Sequence, residues 1–179
     1  QVIAQAGYKV ILRDIKEEFV ESGMEKIVKN LTRSVKKDRL TEEKKDEILA
    51  RIDSTTALED LKDVDLVIEA AVEDLEIKKD IFKELDEVCK DEAILASNTS
   101  ALSITDIATA TARPDKVMGI HFFNPVPVMK LVELIRGIAT SEATFDAASE
   151  FIENIGKEGI EVEESPGFVV KIGRASCRE

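Results

Sequence analysis

Histidine is almost missing from this chain: there is one, His121. Cysteine occurs twice, at Cys89 and Cys177, with no spacing that could hold a metal. So few thiols fit a reducing cytoplasm better than an oxidising compartment, and a cytoplasmic location is expected. No apolar run approaches the ~18 residues needed to cross a bilayer, so no membrane partner is expected. The opening QVIAQAGYKV lacks the charged start of a secretory signal. Positive charge is in deficit, with 25 Lys and Arg against 37 Asp and Glu and a net charge of −12. That balance argues against nucleic acid as a partner, because phosphate binding needs a positive surface. A local basic patch could still take an anionic ligand. The G-x-G-x-x-G phosphate fingerprint occurs nowhere. The remaining composition is globular, with 44% apolar and 35% charged among 179 residues, enough for one domain or a piece of a larger protein.

Apolar patterning alternates between strand and helix periods. YKVILRDI (8–15) reads as a strand, and VIAQAG before it as the end of a helix. From 16 to about 52 the apolar positions fall at helical spacing, from Phe19 through Ile48 to Ile52. We expect two helices there, broken near Asp38–Thr41, with Thr41 capping the second. VDLVIEAA (64–71) reads as a strand buried on both faces, followed by the amphipathic helix EIKKDIFKELDEVCK. AILASNTS is the next strand and its loop, and SITDIATATA a short helix capped by Ser103. Strands VMGIHFF and KLVELI, a helix beginning near Thr144, and strand IEVEE complete the order. Alternating strands and helices predict an α/β fold: a Rossmann-like, doubly wound, mostly parallel sheet. Ligands in such sheets bind beyond the carboxyl ends of the strands. The informative residues are therefore those that directly follow strands: Asp14, Glu73, Asn98, Ser100, His121 and Asn124.

Each of these has a bland reading beside a functional one. Asp14 could accept hydrogen bonds from an adenosine ribose, or simply cap a turn. The hydroxyl and amide groups of SNTS (97–100) could meet a ligand or cap a helix, although Ser103 already serves as the cap. Arg33 and Lys37 stand at i, i+4 and could bind phosphate, or be a solvated face. A lone histidine is more often a core residue bonded to backbone. In GIHFFNPVPVMKLVELI, however, a single carboxylate, Glu133, lies in the same apolar stretch as His121. A turn at Pro125–Pro127 would fold the LVELI strand back and bring the two together. Glu133 could then hold one ring nitrogen and fix the tautomer, leaving His121 as a general acid and base for a hydroxyl proton. One histidine without a nearby cysteine gives too few ligands for a metal.

HFFNPVPVMKLVELI, SNTSALSITDIA, DLVIEAAVEDLEIKK and ESPGFVV, in this order and spacing, resemble the 3-hydroxyacyl-CoA dehydrogenase family. Within it the resemblance is nearest to the bacterial short-chain 3-hydroxybutyryl-CoA dehydrogenases, and it covers residues 1–170. It implies an NAD-binding Rossmann domain followed by a helical dimerisation domain, and interconversion of (S)-3-hydroxyacyl-CoA and 3-oxoacyl-CoA. By this resemblance His121 is the acid/base on the 3-oxygen, Glu133 its partner, and Ser100 the serine near substrate oxygen and nicotinamide. Asp14 matches the ribose-binding acid. Ala71, Val72, Glu73, Lys78, Asn98 and Asn124 match the cofactor side. Arg33 and Lys37 match the cationic contacts to coenzyme A. The cofactor implied is NAD, the partner an acyl-CoA, and the complete protein a homo-oligomer. The dehydrogenase part of a multifunctional β-oxidation enzyme and a non-catalytic, crystallin-like relative are the alternatives.

The chain also departs from the family pattern. The first strand and its glycine loop, which should precede residue 1, are not present. Lys171 stands where the family has an asparagine, and no helical domain follows. KIGRASCRE (171–179) shows neither period, and its back-translation matches a common sequencing adapter. The expected organisation is a partial NAD-binding domain over 1–170 and a non-native tail over 171–179, the fragment alone being at best marginally folded and inactive.

Overall fold

The computed structural model describes residues 1–164. The ESPGFVV motif beyond Glu164, Lys171, Cys177 and the expected non-native tail lie outside the described residues. The chain forms two compact units, residues 1–61 and the part from residue 62 onward.

In the first unit, helix α1 (Val2–Gln5) leads into strand β1 (Val10–Arg13). Gly7 makes this turn with φ +103°, a conformation that L side chains avoid. Helix α2 (Glu17–Val35) buries Val20 and Leu31. Helix α3 (Glu42–Leu49) begins as expected at Thr41, whose hydroxyl oxygen accepts the Lys44 N–H at 3.2 Å. The expectation that Ile52 continues the helical pattern is corrected. The chain leaves α3 after Leu49, and Ile52 opens strand β2 (Ile52–Thr55), parallel to β1 with Val10 opposite Ile52. A four-residue strand is too short to declare its period. Ile52 keeps its apolar role, however, in a core with Ala4, Leu31 and Ile48.

The second unit carries a five-stranded sheet in the order β3-β4-β5-β6-β7. Its strands are β3 (Leu66–Glu69), β4 (Ile94–Ser97), β5 (Val117–Phe122), β6 (Leu131–Arg136) and β7 (Glu158–Glu163). Helix α4 (Leu75–Val88) connects β3 to β4, α5 (Ile104–Ala108) lies between β4 and β5, and α6 (Glu142–Asn154) joins β6 to β7. Every neighbouring pair is parallel except β5 and β6, so the expected α/β class with a mostly parallel sheet is what forms. Caps start the helices: Asp74 for α4, Ser103 for α5 and Ser141 for α6. The last helix begins two residues before the expected Thr144, whose hydroxyl is buried and donates to the Asp115 carbonyl at 2.8 Å.

Gly119 in β5 is a place of tight packing in this sheet. A Cβ there would stand 2.9 Å from Ile135 Cβ and 3.0 Å from Ile104 Cδ1. Because interiors are already close-packed, Gly119→Ala is expected to cost about 1–3 kcal/mol. Urea unfolding of wild type and variant checks this, and equal midpoints would contradict the stated packing.

Candidate active site

The parallel register aligns the carboxyl ends of β3 and β4, with Glu69 opposite Ser97, while Ser97 faces Gly119 and β5 runs three residues further, to Phe122. The segments that leave those ends are 70–74, 98–102 and 123–130. The antiparallel return of β6 sets Glu133 directly opposite His121. His121 Nδ1 is 2.6 Å from Glu133 Oε2. A carboxylate only accepts, so Nδ1 is the donor, and the pair holds the imidazole in the tautomer whose Nε2 can exchange a proton. The Glu133 side chain is wholly buried and that of His121 is 15% exposed. Glu133 Oε1 is buried without a hydrogen-bond partner among the described residues. The Phe123 ring, 4.9 Å away between centroids, packs on the imidazole from one side.

Hydrogen bonds between the loops fix the surroundings of this pair. The Asn98 N–H donates to the Glu69 carbonyl at 2.7 Å, and its side-chain Oδ1 accepts the Phe122 N–H at 2.8 Å. Asn98 thereby ties the ends of β3, β4 and β5 together beside His121. Glu73 Oε1 accepts from the Thr99 hydroxyl and from the Ser100 N–H, both at 2.8 Å. Thr99 Oγ1 in turn accepts the Ala101 and Leu102 N–H groups. The segment carrying Ala71, Val72 and Glu73 is therefore bound to the segment carrying Ser100. Val72 is 62% exposed at this place, and Asn124 is exposed at the start of the turn after β5.

Lys78 does not point its charge outward. It is 1% exposed, with Nζ at 2.6 and 2.9 Å from the two Glu69 oxygens and 3.4 Å from the Ala71 carbonyl. The same carboxylate accepts from the Ser97 hydroxyl at 2.7 Å and from the Ala71 N–H. Glu69 is thus a site-forming residue that sequence reasoning passed over, and Ser97 and Thr99, considered only within SNTS, bond to Glu69 and Glu73. One signal was present: an acid closing the apolar run VDLVIE, with a lysine one turn into the next helix. A second omission is Lys157, just after α6. Its ammonium is buried against the carbonyls of Val126 and Met129, both at 2.6 Å.

The remaining expected residues lie in the first unit. Asp14 follows β1, and its Oδ1 accepts the Ile15 N–H at 2.7 Å. Arg33 is exposed in the last turn of α2. Lys37 is also exposed, but it lies beyond the Lys36 cap, its N–H bonded to the Ser34 carbonyl. The expected i, i+4 pair on one helix face therefore holds only for Arg33, because the helix stops before Lys37. Cys89 is buried, and burial pushes its thiol pKa up, which suppresses the thiolate and removes it as a nucleophile.

The family described as 3-hydroxyacyl-CoA dehydrogenase, NAD binding domain, matches residues 1–165. The 3-hydroxybutyryl-CoA dehydrogenase of Clostridioides difficile is 54% identical over 170 residues, covering 95% of this chain and 60% of that protein. The one from Bradyrhizobium diazoefficiens is 53% identical over 94% of this chain and 58% of its own length. The crystal structure of (S)-3-hydroxybutyryl-CoA dehydrogenase PaaH1 from Ralstonia eutropha superposes with a TM-score of 0.92 at 46% identity, over 98% of this chain and 63% of that one. The chain spans about three fifths of the length of these two curated relatives. It belongs to the 3-hydroxyacyl-CoA dehydrogenase family and corresponds to its Rossmann-like NAD-binding domain.

Proposed function

We propose that the protein carrying this chain is an NAD-dependent dehydrogenase interconverting (S)-3-hydroxyacyl-CoA and 3-oxoacyl-CoA, with short acyl chains such as 3-hydroxybutyryl-CoA as substrates. The observation that carries the proposal is the His121–Glu133 pair, 2.6 Å apart at the carboxyl end of β5. It is supported by relatives named 3-hydroxybutyryl-CoA dehydrogenase at 54% and 53% identity.

The residues present suit a nicotinamide cofactor. The exposed Val72 offers an apolar face, and the Glu73–Ser100 bond sets a polar rim beside it. Ala71, Val72, Glu73, Asn98, Ser100 and Asn124 are the residues we assign to its nicotinamide side, with Lys78 acting from behind through Glu69 and the Ala71 carbonyl. Asp14 would accept the ribose hydroxyls and disfavour a 2′-phosphate, selecting NAD over NADP. When bound, NAD supplies the hydride chemistry. In the oxidative direction His121 takes the proton of the 3-hydroxyl at Nε2. In the reductive direction it returns a proton to the 3-oxygen, while Glu133 keeps the ring oriented in both. Ser100 would hydrogen-bond that same oxygen. Arg33 and Lys37 would meet the phosphates of coenzyme A, cations at exposed positions of a chain that is acidic as a whole. We place the protein in the cytoplasm on its sparse cysteine usage, as a homo-oligomer.

The test is direct. The complete purified protein is expected to oxidise NADH when acetoacetyl-CoA is added, and to prefer NADH to NADPH. A protein that binds NADH but leaves acetoacetyl-CoA unreduced would overturn the proposal.

A further inference from the structure

Lys157 is a buried cation that none of the assigned chemistry uses. It is 8% exposed, and its ammonium donates to the carbonyls of Val126 and Met129, each at 2.6 Å. No carboxylate lies within ion-pairing distance of it among the described residues. An ammonium held by carbonyls alone costs desolvation, and burial lowers its pKa accordingly. A side chain retained at such a cost calls for a reason that packing alone does not supply.

The bonded partners identify that reason. Val126 and Met129 belong to the turn that leaves β5 two residues after His121 and carries Asn124 at its start. The turn contains Pro125 and Pro127, which have no N–H to donate. Its Val128 and Met129 N–H groups both converge on one acceptor, the Pro125 carbonyl, at 2.9 and 3.0 Å. The carbonyls of Val126 and Met129 face the other way and meet on the ammonium. Lys157 itself is firmly held. Gly156, at φ +74°, ends α6, and the Lys157 N–H returns to the Ile152 carbonyl at 3.1 Å. The next residue, Glu158, donates its N–H to Lys130 at the far end of the same turn. The anchor is thus rigid, and charge-assisted bonds are the strong kind.

Building on the proposed dehydrogenase reading, we infer that Lys157 is a positioning residue that locks the 125–129 turn and so fixes Asn124, which begins that turn three residues after His121. It touches neither substrate nor cofactor in this role.

Lys157→Met in the complete protein keeps an unbranched side chain one atom shorter and removes the ammonium that makes both bonds. Amide hydrogen exchange at Val128 and Met129 is expected to accelerate by about tenfold or more, while the β5 and β6 ladder amides of Ile120 and Leu134 stay unchanged. With acetoacetyl-CoA and NADH, kcat/KM is expected to fall by about 10²-fold. Asn124→Ala is expected to cost much less in the Lys157→Met background than in wild type. Lys157→Gln, which keeps one short donor, should give a smaller change of the same kind, and it carries the test if Lys157→Met fails to fold. Unchanged turn exchange, equal acceleration throughout β5 and β6, or additive kinetic effects of Asn124→Ala would overturn the assignment. An inactive wild-type protein would overturn the dehydrogenase reading instead, and the exchange data would still decide whether Lys157 locks the turn.

Discussion

His121→Gln in the complete protein is expected to lower acetoacetyl-CoA turnover by about 10²–10⁴-fold. NADH affinity, followed by the fluorescence of the bound nucleotide, should stay near the wild-type value. The magnitude follows from what the side chain would contribute. Reduction at C3 leaves an alkoxide unless a proton arrives, and oxidation needs the hydroxyl proton removed. One imidazole held at 2.6 Å by a buried carboxylate is placed to do both. Glutamine approximates the shape and can still bond Glu133, but it cannot carry a proton between states. The contacts proposed for the cofactor, Asn98, Ser100 and the 71–73 segment, do not run through the imidazole. The loss should therefore fall on kcat rather than on cofactor binding. Turnover within about threefold of wild type, against the smallest loss expected from general acid–base catalysis, would remove His121 from its assigned role.

This pair was legible in the sequence because it is local. The two residues are 12 positions apart, in one hairpin whose return is announced by Pro125 and Pro127. Its apolar flanks also leave few other places for a charge. The strands of the second unit were legible for a similar reason, since VDLVIEAA and VMGIHFF are apolar runs too short for a globular helix. The short strand β2 was not legible: four residues appended to a helical pattern carry no period of their own, and only their pairing with β1 makes them a strand. The braces around the site were hidden for another reason. Ser97 meets Glu69 across 28 positions, Thr99 meets Glu73 across 26, and Lys157 meets Val126 across 31. Each depends on which strands become neighbours after a crossover, and residue types alone do not encode that register. The resemblance assigns Lys78 to the cofactor side, and its ammonium bonds Glu69, nine positions earlier at the end of β3.

That buried pair carries the largest stability effect expected in the molecule. Glu69 accepts Lys78, Ser97 and the Ala71 N–H at once, with Glu69 at 6%, Lys78 at 1% and Ser97 at 0% exposure. Glu69→Ala removes the acceptor and strands an ammonium in the interior. Breaking a buried ion pair on one side costs about 3–5 kcal/mol, because the remaining ammonium keeps only the Ala71 carbonyl, at 3.4 Å, and no opposite charge. Adding Lys78→Met in the same chain removes the stranded charge and should restore part of that loss. The Ser97 hydroxyl and the Ala71 N–H would still lack an acceptor, which leaves a deficit of about 1–3 kcal/mol. Urea unfolding of wild type, single and double variants separates these contributions. A single variant within about 1 kcal/mol of wild type, far below the cost of an unpaired buried charge, would show that the ion pair does not hold the loop. The double variant also separates stability from function: with the stranded charge removed, Ala71 still lacks its link through Glu69 to Ser97, and Glu73 alone holds the 71–73 segment to Thr99 and Ser100. NADH should then bind more weakly than to wild type even though the protein is again stably folded.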